Sequence, residues 1–299
     1  MANPDRSLAP YIALLGVQLA FGSFPVVGKV ALSVIPPVGL VGFRVGVAAA
    51  IFVTVQAIRR RFWLTDRIDY LKLAGISFLA VTCNQLLFTT GLSLTKASNT
   101  SLLSVTIPIF AMTAGYILGT ETLRPIKLIG ILLACVGVVF LIDPRNASFS
   151  SQTTLGDLLV VLNSLSYGVY VAISKGIVTR NGAFRSIMWI FLFASIICVP
   201  LGIYSMRTVD IPEVAPMIWL CVAYTAVIGT AVPYFLNAWA LARVDPSTVA
   251  AFVYLQPVVG FLLAVLFLGE HVGLNFIVAA LFVFAGLFLV TKKITPLEH

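Results

Sequence analysis

Long apolar runs separated by short polar breaks dominate the chain. They fall at Tyr11–Val34, Val38–Ile58, Tyr70–Leu92, Ala97–Gly119, Ile126–Ile142, Leu155–Val178, Phe184–Tyr204, Pro216–Ala242, Ser247–Leu268 and Val272–Val290, ten runs in all. The runs are continuous rather than alternating at period two, which excludes a transmembrane β-barrel. Most reach the roughly 20 residues that a helix needs to cross a hydrocarbon core; Ile126–Ile142 is short for one. The pattern predicts an all-α polytopic membrane protein of ten helices. Polar positions inside the runs are also ordered. Gln18, Gly22, Pro25 and Lys29 share one stripe of the first helix, and Asn163, Tyr167, Tyr170 and Ser174 share one of the sixth. The third helix gathers Thr82, Cys83, Asn84, Gln85 and Thr89, the eighth offers Thr230, Tyr234 and Asn237, and the ninth offers Tyr254 and Gln256 beside Pro257. The fifth and tenth helices are almost purely apolar, so they are expected outside, against lipid or a second subunit, with the others around a central cavity.

Composition sharpens this. Of 299 residues 60% are hydrophobic and 10% charged, with a mean hydropathy of +1.05. A soluble domain cannot hide that much apolar surface, and a disordered chain would have too little. Ten helices leave no room for a second, soluble domain. The net charge of +8 could suggest nucleic acid, but in a membrane protein Lys and Arg collect in cytoplasmic loops. With the amino terminus inside, the inner segments hold Arg6, Arg59, Arg60, Arg61, Arg67, Arg124, Lys127, Arg180, Arg185, Arg243, Lys292 and Lys293, against Lys96, Arg145 and Arg207 outside. Both termini are therefore expected in the cytoplasm. Cys83, Cys135, Cys198 and Cys221 lie inside apolar runs and read as packing residues, not disulfides or metal ligands. The first run is too long for a signal-peptide core, and Leu297-Glu298-His299 reads as a cloning remnant.

The two halves of the chain resemble each other. Pro108 and Pro257 precede Glu121 and Glu270 by the same interval, Gly137 and Gly286 follow those glutamates equally, and Ser98 matches Ser247. Phe21-Gly22-Ser23-Phe24 leading to Lys29 corresponds to Tyr167-Gly168-Val169-Tyr170 leading to Lys175. Residues 1–146 and 147–296 thus form two five-helix repeats. Five is odd, so the second repeat starts on the opposite side and is inverted. Inverted repeats mark secondary transporters, with a substrate site near the midplane and alternating access.

The Phe-Gly-Ser-Phe…Lys run of the first helix, Arg44 in the second, Ala97-Ser98-Asn99-Thr100 opening the fourth and the Pro…Gly-Glu endings of both halves resemble the drug/metabolite transporter superfamily, in its ten-helix EamA-type permeases. The resemblance runs from about Ile12 to Lys292. It departs where Thr120 separates Gly119 from Glu121, and in a seventh helix with no arginine to mirror Arg44. It implies export of amino acids and other small metabolites.

Intramembrane polar groups are costly and normally face the bundle interior. Thr82, Cys83, Thr89 and Thr230 read as packing residues that bond back to their own helix. For Asn84, Gln85, Asn237 and Gln256 the packing and cavity readings both stay open, because an amide needs several partners when dry. Tyr167, Tyr170, Tyr234 and Tyr254 fall near mid-span and are expected to wall a cavity with Gln18 and Phe21. Lys29 and Lys175 lie near helix ends, where a long stem can snorkel to the interface. Arg44 lies about 10 Å deep at helical rise and is the strongest candidate for contacting substrate. Pro25, Pro108, Pro233 and Pro257 free backbone carbonyls and are candidate bending points for gating. No carboxylate lies near the middle of a span, so either coupling uses the end-of-helix pair Glu121 and Glu270, whose alternative role is helix capping or a salt bridge, or transport is facilitated diffusion or exchange. The reading is a secondary carrier exporting amino acids or other small carboxylate-bearing solutes, without metal or cofactor. Multidrug efflux is the alternative. A lipid-acting membrane enzyme ranks lower, because the only histidines, His271 and His299, form no cluster and no phosphate loop or nucleophile elbow is present.

Overall fold

The computed structural model describes residues 8–104, 106–119, 125–142, 152–241, 252, 255–271 and 273–291. Among them the helices group into ten rods. Helix α1 is Ala9–Ala31, α2 Pro37–Ile58 and α3 Arg67–Leu94. Helix α4 consists of Ala97–Ser104 and Ile107–Ile117, and α5 is Pro125–Ile142. Helix α6 is Gln152–Asn181, α7 Ala183–Ser205, and α8 runs through Pro216–Ala226, Val227–Ala231 and Val232–Leu241. Helix α9 is Leu255–Leu268 and α10 Leu274–Thr291. Seven rods are long and apolar enough to cross a membrane, and the described parts of α5, α9 and α10 form shorter apolar helices. The chain is an integral membrane protein.

Local chemistry sets the helix ends. Prolines stand in the first turn of α1, α2 and the first segment of α8, where a missing N–H costs nothing. The Asp66 carboxylate accepts from Ile68 N at 3.1 Å and caps α3. Helices α4 and α9 run out at Gly119 (φ 71°) and Gly269 (φ 61°), a left-handed conformation that side chains resist.

Packing order reveals the inversion. Along α2 and α7, Gly42 meets Gly202, Gly46 meets Val199 and Phe52 meets Phe191, so ascending positions meet descending ones and the helices are antiparallel. Along α5 and α10, Gly137 meets Val283 while Gly286 meets Ala134. Ala134 and Val283 are separated in sequence as Gly137 and Gly286 are, so this contact maps onto itself when the halves are exchanged. The other pairs obey the same exchange. Helix α6 lies antiparallel to α3 and α1 antiparallel to α8, while α6 runs beside α4 and α1 beside α9. The protein is two inverted five-helix repeats related by a pseudo-twofold axis.

Close approach replaces hydrophobic drive between helices in lipid. A β-carbon on Gly42 would come within 2.8 Å of Gly202 Cα, and one on Gly137 within 2.8 Å of the Ala279 carbonyl. Helices α5 and α10 pack on each other and turn Leu132, Phe140, Leu281 and Phe288 outward.

Both α3 and α8 contain a widened π turn, over Phe78–Cys83 and Val227–Ala231. Their starts, Phe78 and Val227, have the separation that relates Pro108 to Pro257. The α8 turn has a local cause in Pro233, which lacks the N–H that would close the preceding turn. In α3 the neighbouring helix supplies partners, with Ser166 Oγ donating to Leu79 O (2.9 Å) and Asn163 Nδ2 to Asn84 O (2.8 Å). Such turns concentrate at functional sites.

Candidate substrate site

Arg44 is the centre of the site. It projects from α2 next to the Gly42–Gly202 crossing and is 4% exposed. Its Nε donates to Thr230 Oγ1 on α8 and its Nη1 to Thr89 Oγ1 on α3, both at 3.1 Å. The guanidinium carbon stands 3.9 Å from the centroid of the Phe24 ring of α1. Four helices from one half or the other thus converge on one cation. Thr230 Oγ1 donates onward to Thr225 O at 2.8 Å, inside the widened turn. Among the described residues no carboxylate pairs with Arg44; the ion pair they contain joins Asp69 to Arg180 at the end of the bundle where α1 begins. A dry cation held only by neutral hydroxyls and a ring retains a strong demand for an anion.

Aromatic groups adjoin this centre. Tyr234 is close enough to Arg44 and to Tyr167 to interact with both. Its ring meets Phe21 edge-on at 6.0 Å and Phe191 at 5.1 Å, and Tyr167 meets Tyr170 at 5.1 Å. Gln18 is 2% exposed, and its Oε1 is buried without a partner. Asn84 and Gln85 are buried on α3 just past the widened turn, and Asn237 is half-buried on α8. Gln256 is half-buried on α9, its carbonyl close to Gly22. The structure therefore brings Arg44, Tyr234, Tyr167, Tyr170 and Phe21 together. Tyr254 and Glu121 lie outside the described residues, as do the side chains of Pro108, Lys175 and Pro257. Pro25 is buried within an unbroken α1, so no break accompanies it. Pro233 directly follows the widened turn of α8, and Pro108 stands in the first turn of the second α4 segment.

Thr230 bonds back to its own helix, as the packing reading has it, but it and Thr89 also hold Arg44, which that reading left out. Their signal was indirect: a guanidinium at that depth requires acceptors, and these are hydroxyls on two other helices.

A second polar layer lies at the opposite end of the bundle. Lys29 does not snorkel. Its Nζ donates to Leu92 O (3.0 Å) and Thr95 O, so it caps the carboxyl end of α3. Thr95 Oγ1 donates to Asp157 Oδ1 at 2.5 Å, and Asn99 Nδ2 donates to both Asp157 oxygens at 3.1 and 3.2 Å. Glu270 accepts from Ala97 N (2.7 Å), Ser98 N (3.1 Å) and Ser98 Oγ (2.5 Å), capping α4. Residues 92–99 thus tie α1, α3, α4, α6 and the end of α9 together.

The sequence profile of the EamA-like transporter family matches residues 8–143 and 154–292. The chain belongs to the EamA-like transporter family. It is a membrane transporter, not an enzyme, and the two matched segments are its duplicated halves. An uncharacterized transporter of Archaeoglobus fulgidus is 24% identical over 273 residues, covering 91% of this chain and 93% of that one. The Bacillus subtilis uncharacterized transporter YoaV is 21% identical, with coverages of 94% and 96%. A solved crystal structure superposes with a TM-score of 0.62 at 18% identity, covering 95% of this chain and 96% of the other. That likeness concerns the fold alone.

Proposed function

We propose that this EamA-family transporter is an alternating-access secondary carrier that exports small carboxylate-bearing metabolites, amino acids among them. The observation that carries the reading is Arg44, a buried cation with hydrogen-bond partners but no described counter-anion. A carboxylate would supply the missing charge, and the bidentate fork of a guanidinium suits its geometry. Gln18 Oε1, which has no donor, suits a second polar group of the solute. Phe21, Tyr167, Tyr170 and Tyr234 would receive its apolar or aromatic part. Asn84, Gln85, Asn237, Tyr254 and Gln256 complete the proposed lining.

In this reading the repeats comprise residues 1–146 and 147–296. The end bearing Arg59–Arg61 and both termini face the cytoplasm of a bacterial cytoplasmic membrane. The polar layer around Lys29, Asp157 and Glu270 then seals the outer face. Pro25, Pro108, Pro233 and Pro257 are bending points, and Lys175 and Glu121 are the sequence counterparts of Lys29 and Glu270 on the inner side. A homodimer, if formed, would use the outward faces of α5 and α10.

Counterflow in proteoliposomes tests the assignment, with labelled neutral, aromatic, acidic and basic amino acids and simple organic acids. The expected result is saturable exchange of at least one carboxylate solute, lost when its carboxylate is converted to an amide. Transport of organic cations in place of carboxylates would instead establish multidrug efflux.

A further inference from the structure

The end of α2 carries three consecutive arginines in a strained turn. Arg59 N donates to Val55 O (3.1 Å), Arg60 N to Ala57 O (3.1 Å) and Arg61 N to Gln56 O (3.2 Å). Arg60 has φ 53°, at the position after the helix end that glycine usually fills. An arginine there is a poor choice for the backbone, which points to a use for its charge. The Arg59 guanidinium lies over the Phe184 ring at 5.0 Å and 5.7 Å from the Phe235 ring. Phe184 opens α7 and is followed by Arg185, whose Nε is buried without a partner. The antiparallel packing of α2 and α7 places these ends side by side.

Nearby carboxylates are already engaged. Asp69 accepts from Arg180 and Asn181, and Asp66 caps α3. Arg67, Lys72 and Arg180 add further positive charge at this end of the bundle. Ile58 and Trp63 beside the arginines are largely exposed, at 77% and 73%, an arrangement suited to the boundary between hydrocarbon and headgroups.

We propose that Arg59, Arg60 and Arg185 form a binding site for the phosphate of an anionic phospholipid, with Ile58 and Trp63 against its acyl chains. The orphaned Arg185 donor and the ring-held Arg59 distinguish this site from the general positive charge of an inner face. A phosphate supplies acceptors to both guanidinium groups. The orientation proposed above decides only the leaflet, and the test does not depend on it.

The full-length protein in dodecyl maltoside is mixed with phosphatidylglycerol or phosphatidylcholine, and retained lipid is read by native mass spectrometry beside the thermal unfolding shift. Wild type should retain the anionic lipid over the zwitterionic one by about tenfold and gain thermal stability only from the former. Arg59→Gln/Arg185→Gln should abolish the preference, whereas Lys72→Gln should keep it. Equal loss in Lys72→Gln would mean diffuse charge attraction and would overturn the site. So would sn-glycerol phosphate displacing the lipid at equal concentration, which would assign a soluble phosphate. If the double variant does not fold, Arg60→Gly decides: it relieves the backbone, and an undiminished preference would overturn the proposal.

Discussion

Replacing Arg44 by Met should separate transport from folding. The guanidinium donates to two hydroxyls and stands over Phe24. Hydrogen bonds to charged groups contribute about 1.5–3 kcal/mol each, and a desolvated cation–π contact about 2 kcal/mol. Against them stands an effective cost of several kcal/mol for holding one unpaired ion in a dry interior. The two sides nearly cancel, so Arg44→Met, close in length and apolar, should leave the unfolding temperature within a few degrees of wild type.

Substrate binding has no such cancellation. A buried carboxylate that loses its only cation costs about 3–5 kcal/mol, or about two to four decades in apparent affinity. Counterflow in proteoliposomes across a range of substrate concentrations measures this, with thermal unfolding of the same preparation as the folding control. Arg44→Lys should fall between. An ammonium keeps the charge but cannot span Thr89 and Thr230 while lying flat on Phe24. Full transport by a well-folded Arg44→Met carrier would refute the reasoning. Wholesale unfolding of that variant would refute it differently, by making Arg44 a structural cross-link.

Three further outcomes are expected. Thr89→Val/Thr230→Val removes both hydroxyls that orient Arg44 and should lower substrate affinity about tenfold or more, with the maximal rate less affected, as a concentration series in the counterflow assay will show. Gly42→Val forces a side chain into Gly202 and should destabilise the α2–α7 contact by about 1–3 kcal/mol, visible as a lower unfolding temperature and unrelieved by substrate analogues. Glu270→Gln keeps the size of the side chain but removes its charge and replaces one of the two accepting oxygens by an NH2 that cannot accept from α4. It should cost about 1 kcal/mol and speed labelling of a cysteine introduced at Ser98 by a membrane-impermeant thiol reagent; unchanged labelling would show that the Glu270 layer does not seal that end.

The span count, the inversion and the peripheral place of α5 and α10 were legible because lipid imposes them. A helix in hydrocarbon must be continuously apolar, so breaks in hydropathy are breaks in structure. That Arg44 is buried among polar partners was legible for the same reason: one guanidinium deep in an apolar run requires acceptors. What escaped was whatever depends on a neighbouring helix. Lys29 is near a helix end and therefore looked free to snorkel, but the end of α3 brings Leu92 and Thr95 carbonyls to its ammonium. Asp157 stands near the start of α6, away from mid-span, and what the sequence did not signal is its burial against Thr95 and Asn99 at 2% exposure. Thr89 and Thr230 resemble the many threonines that bond back to their own helix, and Thr230 does so while also receiving Arg44. The widened turn of α3 depends on donors in α6, which no local pattern in α3 specifies.

Arg44 has no counterpart on α7, although the fold is otherwise duplicated, and its position explains how one cation can serve both halves. The contacts that map onto themselves under exchange of the repeats, α2 with α7 and α5 with α10, are those through which the pseudo-twofold axis passes. With the separation that relates Phe78 to Val227, the Gly42–Gly202 contact maps within a residue onto the Phe52–Phe191 contact, so the axis passes between them and Arg44 stands one turn, about 5 Å, from it along the helix. Its two hydroxyl partners come from α3 and α8, which are exchanged by the same operation, Thr230 inside the widened turn of α8 and Thr89 six residues past that of α3. In the alternating access proposed above, a charge near the axis would keep its depth while held by one hydroxyl from each repeat. A second arginine on α7 would then crowd two like charges at one depth, with the repulsion that entails. In that proposal, access to the site alternates while the cation stays in place.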